Sequence, residues 1–214
     1  MTTLSATDAD ALVRCGSVRV FASKQALGHE GQVADWVFIL RSGCVKVCST
    51  TADGKEVVLA VRGPRDLVGE LSALDERPRS ASIIALEPVE AVVVSVSSFR
   101  AFLAEHPAVA LSLLNMLSRR LREVDAQRTE FVALNTAGRV ALRIVELSER
   151  FGVPDGDAIE LKLPMTQDEL AGWTSSSLES VGRALQMMRR LGWIETRPRQ
   201  IRILDLEALR RAAE

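Results

Sequence analysis

The chain has 214 residues, with Lys plus Arg at 27, Asp plus Glu at 28 and a formal net charge of -1. That length bounds it to one or two domains, and the near-neutral charge excludes a uniformly basic nucleic-acid coat protein while leaving room for a local basic face. Hydrophobic residues make up 47% and aromatics only 4%, with no Tyr, so the composition is globular and the core must be aliphatic. No apolar run is long enough to span a bilayer, and Met1 to Arg14 lacks the basic and apolar regions of a secretory signal. No membrane partner is therefore expected. Cys15, Cys44 and Cys48 are odd in number and hold no CxxC pair, which fits a reduced cytoplasm better than a disulfide framework.

From Val18 to Val96 short β-branched runs alternate with glycine turns. Trp36-Val37-Phe38-Ile39-Leu40 precedes Gly43. Cys44 to Ser49 and Glu56 to Val61 read as a hairpin about Asp53-Gly54, and Ala81 to Leu86 and Val89 to Val96 as two more strands split at Pro88. Many short strands at this spacing predict a small barrel or sandwich. Near Ser98 the rhythm turns helical. Ser98 to Leu103 is a short helix ending before His106-Pro107, and a long helix follows from about Ala108 to Leu134. On it Leu114, Leu117, Leu121 and Val124 recur at spacings of three and four, a coiled-coil seam suited to a second copy of the chain.

Asn135-Thr136-Ala137-Gly138 breaks that pattern and marks a domain boundary. Arg139 to Phe151 is a helix, Gly152 to Gly156 a turn, and Ala158 to Leu163 a strand stopped by Pro164. Thr166-Gln167-Asp168-Glu169 is a capping box that opens a helix through Trp173. Thr174 to Ser177 is a turn, Leu178 to Leu191 a second helix, and Trp193 to Thr196 with Ile201 to Leu204 a hairpin. This order is the pattern of a winged helix-turn-helix.

Between Arg183 and Arg202 lie six arginines, at 183, 189, 190, 197, 199 and 202, against one acid, Glu195. Guanidinium clusters of this kind neutralise phosphates, which points to double-stranded DNA as a partner. Glu179, Ser180 and Arg183 sit at the start of the second helix, where Arg can read guanine and Glu can accept from cytosine. The local alternatives are a Ser176-x-x-Glu179 capping box and a Glu179–Arg183 ion pair within the helix. In the first half, Gly69-Glu70-Leu71 and Pro78-Arg79-Ser80-Ala81 combine a glycine, a helix start, a guanidinium and a hydroxyl, a candidate phosphate site. Glu70 and Arg79 can also simply pair with each other. No nucleophile–base pair and no metal-ligand spacing occurs, so no enzyme is expected.

These residues carry a resemblance. Gly69-Glu70-Leu71 with Pro78-Arg79-Ser80-Ala81 resembles the phosphate-binding cassette of cyclic-nucleotide-binding domains, in the shorter spacing shared with cyclic-nucleotide-regulated kinases. Over nearly its whole length the chain resembles the CRP/FNR superfamily of bacterial transcription regulators. The resemblance implies an α+β chain with a β-roll sensor domain at 1–107, a dimerisation helix and hinge at 108–137, and a winged helix-turn-helix at 138–214. It implies that Glu70 binds the ribose 2′-hydroxyl, that Arg79 and Ser80 bind the cyclic phosphate, and that Gly69, Leu71 and Ala81 line the cassette. Val124 and Asp125 fall where relatives read the adenine with hydroxyl or amide side chains. Thr166, Ser177, Glu179, Ser180, Arg183 and Arg199 become the DNA-binding candidates.

The implied function is ligand-responsive, sequence-specific transcription regulation by a cytoplasmic homodimer, gated by cyclic AMP or another cyclic nucleotide, with operator DNA and RNA polymerase as partners. A nucleotide-binding signalling module without DNA targets is the alternative. Three positions depart from the family pattern. Val124 cannot hydrogen-bond a base. Leu178 stands where relatives carry a recognition arginine. Ser175 replaces the turn glycine and must either take a left-handed conformation or shift the turn. An iron–sulfur cluster, which needs about four cysteines, is not expected, nor is haem on His29 or His106, nor any other metal.

Overall fold

A computed structural model describes residues 12–162 and 165–214. It forms two compact units, divided between Val124 and Asp125. Among the described residues the first unit holds eight strands, two short helices and the first part of a long one. The strands are β1 (Ser17–Phe21), β2 (Ala26–Gly28), β3 (Trp36–Ser42), β4 (Val45–Thr50), β5 (Glu56–Arg62), β6 (Leu67–Val68), β7 (Ser82–Ala85) and β8 (Val89–Ser95). Helix α1 (Glu70–Asp75) lies between β6 and β7, and α2 (Val96–Glu105) follows β8. The strands make two four-stranded antiparallel sheets, ordered β1-β8-β3-β6 and β2-β7-β4-β5.

Strand alternation explains the two hydrophobic clusters. On β3 and β8, Phe38, Leu40, Ala91 and Val93 join Val45, Ile83 and Ala85 of the second sheet. Val37, Ile39, Val92 and Val94 point the other way and pack with Phe99, Phe102, Val109, Leu113 and Met116. Helix α2 opens on Ser95, whose hydroxyl accepts from the Ser98 amide, and His106 ends it. The long helix α3 (Pro107–Ala133) begins at once.

The second unit holds α4 (Thr136–Phe151), β9 (Val153–Asp155), β10 (Ala158–Lys162), α5 (Gln167–Trp173), α6 (Leu178–Arg190), β11 (Ile194–Arg197), β12 (Gln200–Ile203) and α7 (Leu206–Ala212). Its sheet runs β11-β12-β10-β9. The molecule is thus α+β, with an N-terminal β-roll, a long helix and a C-terminal helix-turn-helix with a β-hairpin wing.

Several local expectations need correction. The interruption between the long helices is only Leu134–Asn135. Asn135 caps α4 by accepting from the Gly138 amide, and Gly138 lies inside the helix. A glycine is needed there because a Cβ would sit 2.9 Å from the Ala212 carbonyl oxygen of α7. Val153–Asp155 is a strand paired with β10, so the turn shrinks to Gly156-Asp157. The expected stop at Leu163-Pro164 lies outside the described residues. Helix α6 is capped by Ser177, which accepts from the Ser180 amide, and not by Ser176.

Candidate ligand and nucleic-acid sites

The first site grows from the β6–α1 junction. Gly69 takes φ 79°, ψ 12° and turns the chain from Val68 into α1. A Cβ on it would lie 2.5 Å from Arg79 Nη1, so both conformation and space require glycine. Gly28 closes the same space from β2: its Cβ would lie 2.5 Å from Arg79 Nε. Arg79 is fixed by its backbone, which accepts from the Gly31 amide at 2.8 Å and donates to the Gln32 carbonyl at 2.8 Å. Its side chain turns inward. Nη2 donates to the Trp36 carbonyl at 2.7 Å, and the guanidinium lies 5.5 Å over the Phe38 ring.

Arg79 is only 5% exposed. Among the described residues its Nη1 has no hydrogen-bond partner. Burial lowers the basicity of this guanidinium, opposed by the charges of Asp35 and Glu70. A buried cation with an unused donor, walled by two glycines, is a cradle that an anionic group fits. Ala81 is buried next to it, whereas Ser80 and Leu71 are exposed.

Glu70 does not pair with Arg79. Its Oε1 accepts from Arg120 Nη1 of α3 at 2.6 Å, and Arg120 Nη2 donates to the Leu67 carbonyl at 2.7 Å. Both side chains are largely buried, so each charge needs the other. Arg120 is the residue that reading the sequence for motifs misses. The signal lies in the spacing. Val109, Leu113 and Met116 form the buried face of α3, and position 120 follows at a further interval of four. Arg120 thus continues the core-facing stripe, and Glu123, exposed just beyond it, meets Arg62 of β5 at 3.7 Å. Val124 and Asp125 are exposed on α3, at the division between the two units.

Among the described residues no group of three or more His, Cys, Asp or Glu lies together as a metal-holding cluster. His106 stacks on Phe102, with ring centroids 4.1 Å apart. Burial and the Glu56 carboxylate push the Cys48 thiol up to about 12.

The second site is the helix-turn-helix. The Thr166 capping box is present in full: Thr166 Oγ1 accepts from the Glu169 amide, and Glu169 Oε2 accepts from the Thr166 amide at 2.7 Å. Ser175 takes the left-handed conformation at φ 48°. Arg139 braces the turn, donating to the Thr174 carbonyl at 2.9 Å and to Ser176 Oγ at 3.2 Å. On α6, Arg183 pairs with Glu179 and donates to Ser180 Oγ at 2.8 Å. Both Glu179 and Arg183 are well exposed. The in-helix pair therefore forms, at the surface where an exposed pair contributes little and exchanges easily.

Of the other arginines, Arg189 donates to Thr196 Oγ1 at 3.2 Å and Arg202 Nε meets Asp155 at 2.9 Å. Arg190, Arg197 and Arg199 are exposed, with no ion pair among the described residues. Arg199 forms the wing tip with Pro198 and takes φ 55°. The basic face thus extends from the last turn of α6 to the wing.

Comparison with known proteins agrees with both halves. Residues 18–106 match the family model of the cyclic nucleotide-binding domain, and residues 138–212 that of the Crp-like helix-turn-helix domain. A CRP-like cAMP-activated global transcriptional regulator of Mycobacterium tuberculosis is 35% identical over 184 residues, covering 86% of this chain and 82% of the relative. The solved structure of FixK2 from Bradyrhizobium japonicum superposes with a TM-score of 0.84 at 21% identity, covering 93% of this chain and 98% of that one. A CRP-family transcriptional regulator from Thermus thermophilus gives 0.78 at 26% identity, covering 91% and 96%. With a nucleotide-binding β-roll ahead of an arginine-rich helix-turn-helix, the chain belongs to the CRP/FNR superfamily of DNA-binding transcriptional regulators.

Proposed function

We propose that this regulator is gated by a cyclic nucleotide, with cyclic AMP the first candidate, and that it binds operator DNA as a homodimer. The observation that carries the reading is Arg79: a buried guanidinium with an unused Nη1 donor, set against Gly28 and Gly69. A cyclic phosphate supplies the missing acceptor and the compensating charge. Glu70, held by Arg120, presents its carboxylate for a ribose hydroxyl, and Gly69, Leu71, Ser80 and Ala81 complete the cassette. The Mycobacterium relative is described as cAMP-activated, which supports the choice of base. Val124 and Asp125 differ from the hydroxyl pattern of cyclic-AMP-responsive regulators, so base selectivity is the part of the assignment that belongs to this chain.

On the DNA side, Arg183 reads a guanine in each half-site once DNA draws it from Glu179. Glu179 and Ser180 contact the neighbouring positions, and Leu178 packs on a thymine methyl. Thr166, Ser177 and Arg199 hold phosphates. RNA polymerase is the protein partner of the bound dimer.

Titration calorimetry of the whole protein against cyclic AMP and cyclic GMP tests the gate, with Arg79→Ala alongside. Wild type should bind and Arg79→Ala should lose at least tenfold in affinity, with an unchanged circular dichroism spectrum. Equal binding by Arg79→Ala places the phosphate elsewhere. A mobility shift on pooled genomic DNA, with and without the nucleotide, then tests the response.

A further inference from the structure

The inner wall of the β-roll carries an ion pair that the phosphate cassette does not use. Val45 lies opposite Arg62 and Val47 opposite Ala60 on β4 and β5, while Ala85 and Ile83 of β7 lie opposite Val45 and Val47. Opposed residues share one face of a sheet. Val45, Ile83 and Ala85 belong to the core inside the roll, so Ala60 and Arg62 face inward with them. This wall adjoins the cradle, since a Cβ on Gly69 would lie 3.5 Å from Ile83 Cδ1 as well as against Arg79. Val47 and Ala60 are only half-buried, so the wall is open at this point.

Arg62 stands at the α3 side of that opening. Its Nη1 donates to the Val61 carbonyl at 3.3 Å, and its Nη2 lies 3.7 Å from Glu123 Oε2. The Arg62 side chain is 12% exposed and that of Glu123 46%. A pair this long, with one member in water, holds weakly and opens at small cost to a ligand that serves both charges. Three residues before Glu123, Arg120 holds Glu70. A nucleotide with its phosphate on Arg79 and its ribose on Glu70 carries its base onward to the next turn of α3, where Glu123 and Arg62 stand. Guanine has two acceptors, O6 and N7, that fit the fork of a guanidinium, and two donors, N1–H and the 2-amino group, that fit the two oxygens of a carboxylate. Adenine carries an amino group in place of O6 and no donor at N1, so it offers each charge a single bond. We propose that Arg62 and Glu123 are specificity-determining residues that admit guanine, making cyclic GMP a ligand of this site alongside cyclic AMP. The proposal rests on the cyclic-nucleotide reading above and adds the choice of base.

The test is titration calorimetry of the whole protein against cyclic AMP, cyclic GMP and cyclic IMP, the last keeping O6, N7 and N1–H but lacking the 2-amino group. Wild type should bind cyclic GMP within about tenfold of cyclic AMP, and cyclic IMP at least fivefold more weakly than cyclic GMP. Glu123→Gln keeps the size and one acceptor but cannot accept from both guanine donors. It should lower the ratio of cyclic GMP to cyclic AMP affinity at least tenfold and abolish the difference between cyclic GMP and cyclic IMP. Arg62→Met removes the donors to O6 and N7, which cyclic GMP and cyclic IMP share. It should lower both relative to cyclic AMP at least tenfold and leave their own ratio at the wild-type value. Each variant should keep the wild-type circular dichroism spectrum, and the cyclic IMP comparison in wild type decides the matter without any variant. A wild type that binds cyclic AMP but holds cyclic GMP more than tenfold more weakly, or holds cyclic IMP as well as cyclic GMP, overturns the proposal and leaves the cyclic-nucleotide reading standing. Unchanged base ratios in the two variants overturn it as well. If wild type binds none of the three, the cyclic-nucleotide reading itself fails, and the base assignment falls with it.

Discussion

At the scale of single residues, two backbone positions are strained in ways that separate fold from function. Ser175 sits at φ 48° in the turn between α5 and α6, where an L-residue with a Cβ costs about 1 kcal/mol relative to glycine. Its side chain is exposed, so nothing in the packing offsets the cost. Ser175→Gly should therefore stabilise the protein by about 1 kcal/mol in urea unfolding, reduced by the extra freedom that glycine gives the unfolded chain. A loss of stability would mean that the turn, and not the residue, sets the conformation. The conformation itself is one of the two open to a serine in this place. The turn keeps its course because Thr174 and Ser176 are both held by Arg139, which leaves Ser175 to absorb the rotation.

At the scale of elements, the wing shows the same conflict with a different answer. Pro198 and Arg199 join β11 to β12, with Arg199 at φ 55° in the third position of a turn where glycine is the favoured residue. An arginine that strains its own turn is informative because its side chain is exposed and supplies no packing. Arg199→Gly should raise stability by about 1 kcal/mol while weakening binding to every DNA sequence alike, and the slope of log affinity against log salt should flatten by about 0.9 per half-site, or about 1.8 on an operator with two. Quantitative mobility shifts at several salt concentrations measure the binding, and urea unfolding measures the stability. A variant that binds as tightly as wild type, with an unchanged slope, would remove the wing tip from the interface. Elements of this kind were legible in the sequence wherever periodicity or a cap announced them: the β4–β5 hairpin about Asp53-Gly54 and the Thr166 capping box. What was not legible depended on tertiary partners. Arg120 looks like any surface arginine until Glu70 is brought beside it from fifty residues away. The extension of α4 back to Thr136 depends on the Asn135 cap and on α7 packing over Gly138. In the cassette, the residue types were visible, but the inward turn of Arg79 onto the Trp36 carbonyl was not, because it is set by β3 and by the loop after β2.

At the scale of the molecule, α3 carries two different faces. One face, through Val109, Leu113 and Met116, is buried in the first unit and ends in the Arg120–Glu70 pair. The other exposes Leu111, Leu114, Leu121 and Val124, at 62%, 58%, 63% and 44%. Leu117, expected with these, is instead partly buried against the protomer's own core, so the free stripe is the Leu111–Leu114–Leu121–Val124 row. Four large aliphatic side chains in a row along one helix are too many to leave to water, and their spacing suits the same stripe of a second copy. Leu121→Glu should leave the protomer folded, since Leu121 is exposed within it, but would place two carboxylates against each other in a paired helix. Sedimentation velocity at micromolar concentration should then show a monomer. The consequence for DNA is larger than the loss of one contact. Two recognition helices that must enter major grooves about 34 Å apart act together only while the protomers are joined, because linkage turns the second half-site contact into an intramolecular event. Leu121→Glu should therefore lower affinity for a two-half-site operator by about a hundredfold or more, while affinity for a single half-site stays at the wild-type value. An unchanged dimer in the centrifuge would mean that the exposed row of α3 serves some other surface. Equal losses on half-site and full operator would mean that the substitution acts within the protomer and not between two of them.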